Sequence, residues 1–165
     1  MDTGMPNVII YSCVMSNFTS IKPLLMTTAP AAVVVIRFLL GSIFISEGIQ
    51  KFLLPTELGI GRFEKLGIFY PSFTAPFVGI VEIICGTLLV VGLLTRFASM
   101  PLLITMFVAI YSTKFNVLID SGFWKFAHEA RTDYSMIMCL AFLLIVGSGP
   151  ISMDQKLTEN ISNEY

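Results

Sequence analysis

Ionisable side chains interrupt apolar stretches of this sequence at positions where a proton or a polar ligand could be handled. Glu47 and Lys51 stand four residues apart, in the order that favours an ion pair along one helix face. Glu82 lies alone in a second apolar stretch, and Asp133 follows shortly after Arg131. Carboxylates in apolar surroundings exchange protons, and neighbouring cations hold them ionised or bind a ligand. These residue types therefore point to acid–base chemistry or to ligand binding.

The other reactive residue types give little support to a metal, haem or dithiol site. Cys13, Cys85 and Cys139 are far apart in the sequence, so no Cys-x-x-Cys motif is present. Cys85 and Cys139 lie in apolar runs, where cysteine usually packs as a small hydrophobic residue. His128 is the single histidine, so the chain cannot build a multi-histidine site by itself. We expect no metal site and no intrinsic cofactor.

The amino-acid composition indicates whether these charged residues belong to a chain surrounded by water or by lipid. Hydrophobic residues make up 55% of the 165 residues and charged residues 13%, and the mean hydropathy is +0.83. Soluble domains carry about 25% charged residues, and a soluble fold of this size could not hide so much apolar surface from water. The net charge of −1 offers no basic excess for nucleic acid. The composition therefore predicts an integral membrane protein in contact with lipid.

Four apolar segments are long enough, or nearly so, to cross a bilayer core that needs about 20 helical residues. Within a membrane domain of residues 30–155, the predicted spans are residues 31–52, 74–94, 97–115 and 132–149. Gly92 and the residues up to Arg96 predict a tight turn between the second and third spans, and polar residues 112–131 predict a longer loop. The predicted fold class is an all-α membrane protein, a four-transmembrane-helix up-down bundle.

Three segments lie outside these spans. Residues 1–29 start with an acidic rather than a basic region, so we expect an interfacial or disordered extension and no cleaved signal peptide. Between the first two spans, Ile60, Phe63 and Leu66 recur at helical spacing opposite charged residues, which predicts a short interfacial amphipathic helix. Residues 156–165 are expected to form a polar tail.

The predicted helices bring most of the charged residues to one end of the bundle. We define side A as the end where the first helix begins and side B as the opposite end. At about 1.5 Å per residue, Glu47 and Glu82 lie about 8 Å and 12 Å from side B, and Arg37 lies about 10 Å from side A. The residues expected to converge on side B are Glu47, Lys51, Arg62, Glu82, Lys114, His128, Arg131 and Asp133.

We assign candidate roles to this set. The candidates for proton handling are Glu82, Asp133 and His128, and those for ligand binding are Glu47, Lys51, Arg62, Lys114 and Arg131. Arg37 is expected to snorkel or to pair at side A, and Gly48, Gly79 and Gly86 are expected to let two helices approach closely. The alternative is a static salt-bridge network that holds the helix register and has no chemical role.

Several of these segments, taken in order, resemble the DoxX family. The similar segments are residues 37–52, 61–67, 78–86, 92–96, 128–133 and 147–154. Many relatives carry histidine where this sequence has Glu47 before the Gly-x-x-Lys pattern. The resemblance implies a four-helix, multi-pass protein of the bacterial inner (plasma) membrane.

The resemblance also implies candidate functions. Family members are named for small membrane subunits of a thiosulfate:quinone oxidoreductase, and others are associated with membrane redox complexes. The first hypothesis is therefore an accessory membrane subunit of a quinone-linked redox complex, with quinone as the bound molecule and a protein partner or a second copy beside it. The second is a non-enzymatic assembly factor, chaperone or structural partner. A small-solute carrier ranks third, because the chain shows no internal inverted repeat.

Overall fold

The structure is a computed structural model that describes residues 30–163, and the regular secondary structure in this range is entirely helical. Its helices are α1 (Val33–Leu53), α2 (Ile60–Lys65), α3 (Pro71–Val91), α4 (Thr95–Ser121), α5 (Phe123–Val146) and α6 (Met153–Asn163). Three of them, α1, α3 and α4, are long and apolar enough to cross a membrane. The all-α membrane class is thus confirmed, and the extension over residues 1–29 lies outside the described residues.

The region around α5 differs from the sequence prediction. Residues 112–131, expected as a loop, are helical on both sides of a single break at Gly122, where φ is +81°. Residues 112–121 contain neither proline nor glycine, so no residue of this stretch breaks the helix, and α4 continues to Ser121. The helix α5 is long, but charged residues occupy its N-terminal half, and only its C-terminal half has the composition of a span.

The closest helix contact joins α1 to α3 through glycines at matching positions. A Cβ on Gly41 would lie 2.6 Å from the carbonyl oxygen of Gly86, and one on Gly48 would lie 2.7 Å from that of Gly79. Neither position has room for a side chain, so these glycines allow the two backbones to touch. The pairing of 41 with 86 and of 48 with 79 makes the two helices antiparallel and fixes their register.

The apolar core fills the side A half of the bundle. Its fully buried side chains come from all four long helices and include Leu40, Phe44, Leu89, Leu102, Leu140 and Leu143. The predicted turn between α3 and α4 lies at this end and uses left-handed backbone at Gly92 and Leu94. The carboxylate of Asp154, in α6, accepts a hydrogen bond from the backbone N–H of Leu94 at 2.8 Å. Side A is therefore the closed, tightly packed end.

Arg37 lies inside this closed end with only 2% of its surface exposed. Its guanidinium donates to the carbonyl oxygens of Leu89 at 3.0 Å and Val90 at 3.2 Å, at the end of α3. It also donates to the carbonyl oxygens of Ser148 and Ile151, in the connection between α5 and α6. The charge of Asp154 acts on the same guanidinium. Arg37 thus ties α1 to α3 and to the chain that follows α5.

Candidate functional site

A cavity of about 520 Å³ lies in the side B half of the bundle. Ligand pockets in proteins typically measure about 300–1,000 Å³ and have mainly apolar walls. The apolar wall includes Ile43, Phe44, Phe63, Phe77, Ile104, Val108 and Met136. The ionisable residues of the wall are Glu47, Lys51, Arg62, Glu82 and Asp133, which come from α1, α2, α3 and α5. Five of the eight charged residues predicted to meet at side B therefore share one cavity.

Lys51 and Glu82 form the central ion pair of the cavity. The Nζ atom of Lys51 lies 2.6 Å from Oε2 of Glu82, and both side chains are largely buried. The sequence suggested Glu47 as the partner of Lys51, but Lys51 reaches only the backbone carbonyl oxygen of Glu47, at 3.5 Å. The glycine contact explains why Lys51 pairs with Glu82 rather than with Glu47, since it brings α3 against α1. Side chains tilt toward the N-terminus of their own helix, so in this antiparallel pair Lys51 and Glu82 tilt toward each other.

Glu47, Arg62 and Asp133 complete the charged part of the wall. The charges of Lys114, Arg62 and Glu47 all act on the carboxylate of Asp133, and the charge of Glu47 also acts on Glu82. Counted together, three carboxylates and two cations line the cavity. One negative charge in the wall therefore remains to be balanced by a proton or by a nearby cation.

The other three predicted residues, Lys114, His128 and Arg131, lie outside the cavity wall. Lys114 approaches Glu129, with 3.7 Å between Nζ and Oε2. Arg131 contacts the ring of His128, three residues earlier on α5, with Nη1 2.9 Å from Nε2. The structure thus divides the predicted cluster into a cavity set and a surface set on α4 and α5.

Hydroxyl groups in the wall are the polar feature that the sequence analysis missed. Thr105 and Ser112 line the cavity from α4, and each donates a hydrogen bond to a carbonyl oxygen of its own helix at 2.8 Å. Their oxygen atoms keep lone pairs that can accept hydrogen bonds from a ligand. The available signal was the i, i+4, i+7 spacing of Thr105, Ala109 and Ser112, which places small and polar residues on one helix face.

This arrangement suits a molecule that is apolar over most of its surface and polar at one end. A flat ring could lie against the aromatic side chains of Phe63 or Phe77, while the polar end meets Lys51 and Glu82. Within residues 30–163, the His, Cys, Asp and Glu side chains form no group of three that could hold a metal ion. The groups available in the cavity are therefore hydrogen-bond donors, hydrogen-bond acceptors and carboxylates that exchange protons.

Comparison with known proteins gives a family match and two relatives. The DoxX family model matches residues 32–114. The protein named "Uncharacterized membrane protein Rv3486", from Mycobacterium tuberculosis, is 50% identical over 142 residues, which cover 82% of this chain and 87% of that protein. The Bacillus subtilis protein named "Putative oxidoreductase CatD" is 29% identical over 119 residues, which cover 72% of this chain and 81% of that protein. No solved structure gives a significant match.

Proposed function

The chain belongs to the DoxX family of membrane proteins, and from that premise we propose that it is an accessory membrane subunit of a quinone-linked redox complex. The observation that carries the proposal is the cavity, which collects five ionisable side chains among membrane-spanning helices. The name of the Bacillus subtilis relative adds support for a redox role. The proposal includes a multi-pass position in the bacterial plasma membrane, with α5 as the fourth span, α2 in the interface, and a protein partner that supplies electrons.

The residues of the cavity fit a quinone. Lys51 can donate a hydrogen bond to a carbonyl oxygen of the ring, and Arg62 offers further donors at the same wall. A bound quinone supplies chemistry that transfers two electrons and two protons. The chain's own part is to hold the ring against the apolar wall and to hold or release protons on the carboxylate oxygens of Glu82 and Asp133. The ammonium group of Lys51 orients Glu82, since the two are in direct contact.

The distribution of ion pairs favours binding over a static network. In a static network each charge would have a bonded partner. Among the side chains that the structure describes, the ion pairs shorter than 4.0 Å are Lys51–Glu82 and Lys114–Glu129. Within the part of the chain that the structure describes, Glu47, Arg62 and Asp133 line the cavity without an ion-pair partner at that distance, so their charges are available to a ligand or to a proton.

Native mass spectrometry on the protein, extracted gently from its own membrane, tests this function. We expect an added mass of several hundred daltons that is identified as quinone. Glu82→Gln and Asp133→Asn should both lose this mass, and Asp133→Asn leaves the Lys51–Glu82 pair intact in case Glu82→Gln fails to fold. The matched control is Glu64→Gln, which removes an exposed carboxylate of α2 outside the cavity wall and should retain quinone.

The same measurement also tests the alternative hypothesis, in which the chain is an assembly factor, a chaperone or a structural partner. That role predicts an added mass of tens of kilodaltons from a protein partner and no small molecule. A wild-type chain with no bound quinone would therefore overturn the proposed function.

A further inference from the structure

One wall of the cavity is also part of the outer, lipid-facing surface of the bundle. Phe77 of α3 and Ile104 and Val108 of α4 line the cavity, yet they are 55%, 64% and 51% exposed. Both helices belong to the spans that are apolar enough to cross the membrane. At this position the exposed surface lies within the spans, so the cavity adjoins the acyl chains of the bilayer.

The way α3 and α4 are joined explains the opening. They meet at side A through the turn at Gly92–Leu94, where the buried side chains of Leu89 and Leu102 close the gap. Phe77 lies about 21 Å along α3 from this turn and Val108 about 20 Å along α4, so the two residues are at the same depth. α3 packs mainly against α1, and α4 mainly against α5; at this depth both α3 and α4 contribute residues to the cavity wall, and the cavity lies between them.

At side B, the boundary of the cavity is formed by α2 and the residues on either side of it. The segment around α2 contributes Leu58, Arg62, Phe63, Leu66 and Ile68 to the cavity wall. This segment therefore forms part of the side B boundary of the cavity, beside the exposed side chains of Glu47 and Arg62. The polar groups Lys51 and Glu82 lie behind the gap between α3 and α4, with Thr105 and Ala109 in the wall beside them.

We propose that the gap between α3 and α4 is a lateral portal, through which the polar head of an isoprenoid-tailed molecule enters from the bilayer. The head reaches Lys51 and Glu82, and the tail stays in the gap beside Phe77 and Val108 and extends into the lipid. This inference rests on the proposed function for the identity of the head group. It adds the class of ligand, a molecule with a long apolar tail, and the route that the molecule takes.

Photocrosslinking in the native membrane tests the portal. The photoreactive residue p-benzoylphenylalanine replaces Ala109, which lines the inner wall, and in a parallel protein it replaces Phe107, which is 59% exposed and does not line the cavity. After irradiation, mass spectrometry of the purified protein identifies the adducts. Position 107 reports contact with bulk lipid, so it should capture acyl chains whether or not the portal exists. We expect position 109 to capture an isoprenoid chain.

The outcomes separate the portal from the proposed function. An acyl chain and no isoprenoid chain at position 109 would support the portal but overturn quinone as the ligand. The absence of any lipid adduct at position 109, with normal adducts at position 107, would overturn the portal, whereas quinone found by native mass spectrometry would still support the proposed function.

A blocking variant gives an independent check. Val108→Trp fills the portal at an exposed site and should lower the adduct yield at position 109 several-fold. Phe107→Trp, one residue away and outside the cavity wall, is the matched control and should leave the yield unchanged. An unchanged yield in Val108→Trp would show that the chain reaches the cavity by another route.

Discussion

At the scale of single residues, buried charges occur at both ends of the bundle, but their surroundings differ. Arg37 donates hydrogen bonds to four backbone carbonyl oxygens, so few of its N–H groups remain for a ligand. Lys51 and Glu82 share one short contact and face a cavity. A fully bonded charge is typical of a structural role, whereas a charge in a cavity wall can act on a ligand.

Replacement of Arg37 is expected to unfold side A. Arg37→Ala would leave four backbone carbonyl oxygens, two of them in buried hydrogen bonds, without their donor and Asp154 without its nearby cation, so we expect a loss of about 3–5 kcal/mol in the free energy of unfolding. Arg37→Lys should recover only part of this loss, because an ammonium group lacks the planar fork of the guanidinium. Thermal unfolding in detergent measures the effect, with Lys156→Ala, an exposed site, as control. A stable Arg37→Ala protein would contradict this role.

The Lys51–Glu82 pair is expected to show strong coupling in a double-mutant cycle. Lys51→Met would leave the buried Glu82 carboxylate without its cation and should cost about 3–5 kcal/mol in the free energy of unfolding. The double variant Lys51→Met, Glu82→Gln should regain most of that stability, because neither charge then stays buried alone. Chemical unfolding in detergent gives the four free energies. Additive effects of the two substitutions would show that the pair does not interact.

At the scale of the helices, the glycine contact is the feature that positions the site. Gly41, Gly48, Gly79 and Gly86 let α1 and α3 touch, and this contact brings Glu82 within reach of Lys51. A side chain at any of these positions would push the helices apart or shift their register. The functional geometry therefore depends on residues that have no chemistry of their own.

Gly86→Leu is expected to disrupt the α1–α3 contact. Even a Cβ at this position would lie 2.9 Å from the carbonyl oxygen of Gly41, and overpacking in a close contact costs about 1–3 kcal/mol or more. The adjacent Thr87 is exposed, so Thr87→Leu is the matched control and should be tolerated. The midpoint of thermal unfolding reports both. Equal midpoints for the two variants would mean that the contact does not hold the helices together.

The sequence predicts well where the helices lie, but it predicts less well which side chains contact each other across helices. Apolar runs bounded by proline and glycine placed the four long helices and the turn after Gly92, because these signals are local. The polar character of residues 112–131 predicts a loop, whereas the structure is helical on both sides of Gly122, because polar residues are as common in exposed helices as in loops. The partner of Lys51 was also missed, because the lateral position of α3 depends on tertiary packing that helix spacing alone does not contain.

At the scale of the whole molecule, the two ends of the bundle serve different purposes. Side A is closed by the core, by Arg37 and by Asp154, which binds the turn between α3 and α4. Side B holds the cavity, and α2 contributes to its wall. A tightly packed end that holds the helices allows a space between them at the other end, and in that space five of the predicted ionisable residues meet.

In the proposed function, the cavity binds quinone through Lys51 and Glu82. The most direct measurement is the amount of quinone per chain in protein purified from its own membrane, determined by solvent extraction and chromatography. We expect about one quinone per chain in the wild type and in Glu64→Gln, since proteins have few such sites, and a large loss in Glu82→Gln. Trace amounts in all three proteins, or an unchanged amount in Glu82→Gln, would contradict quinone binding through these residues.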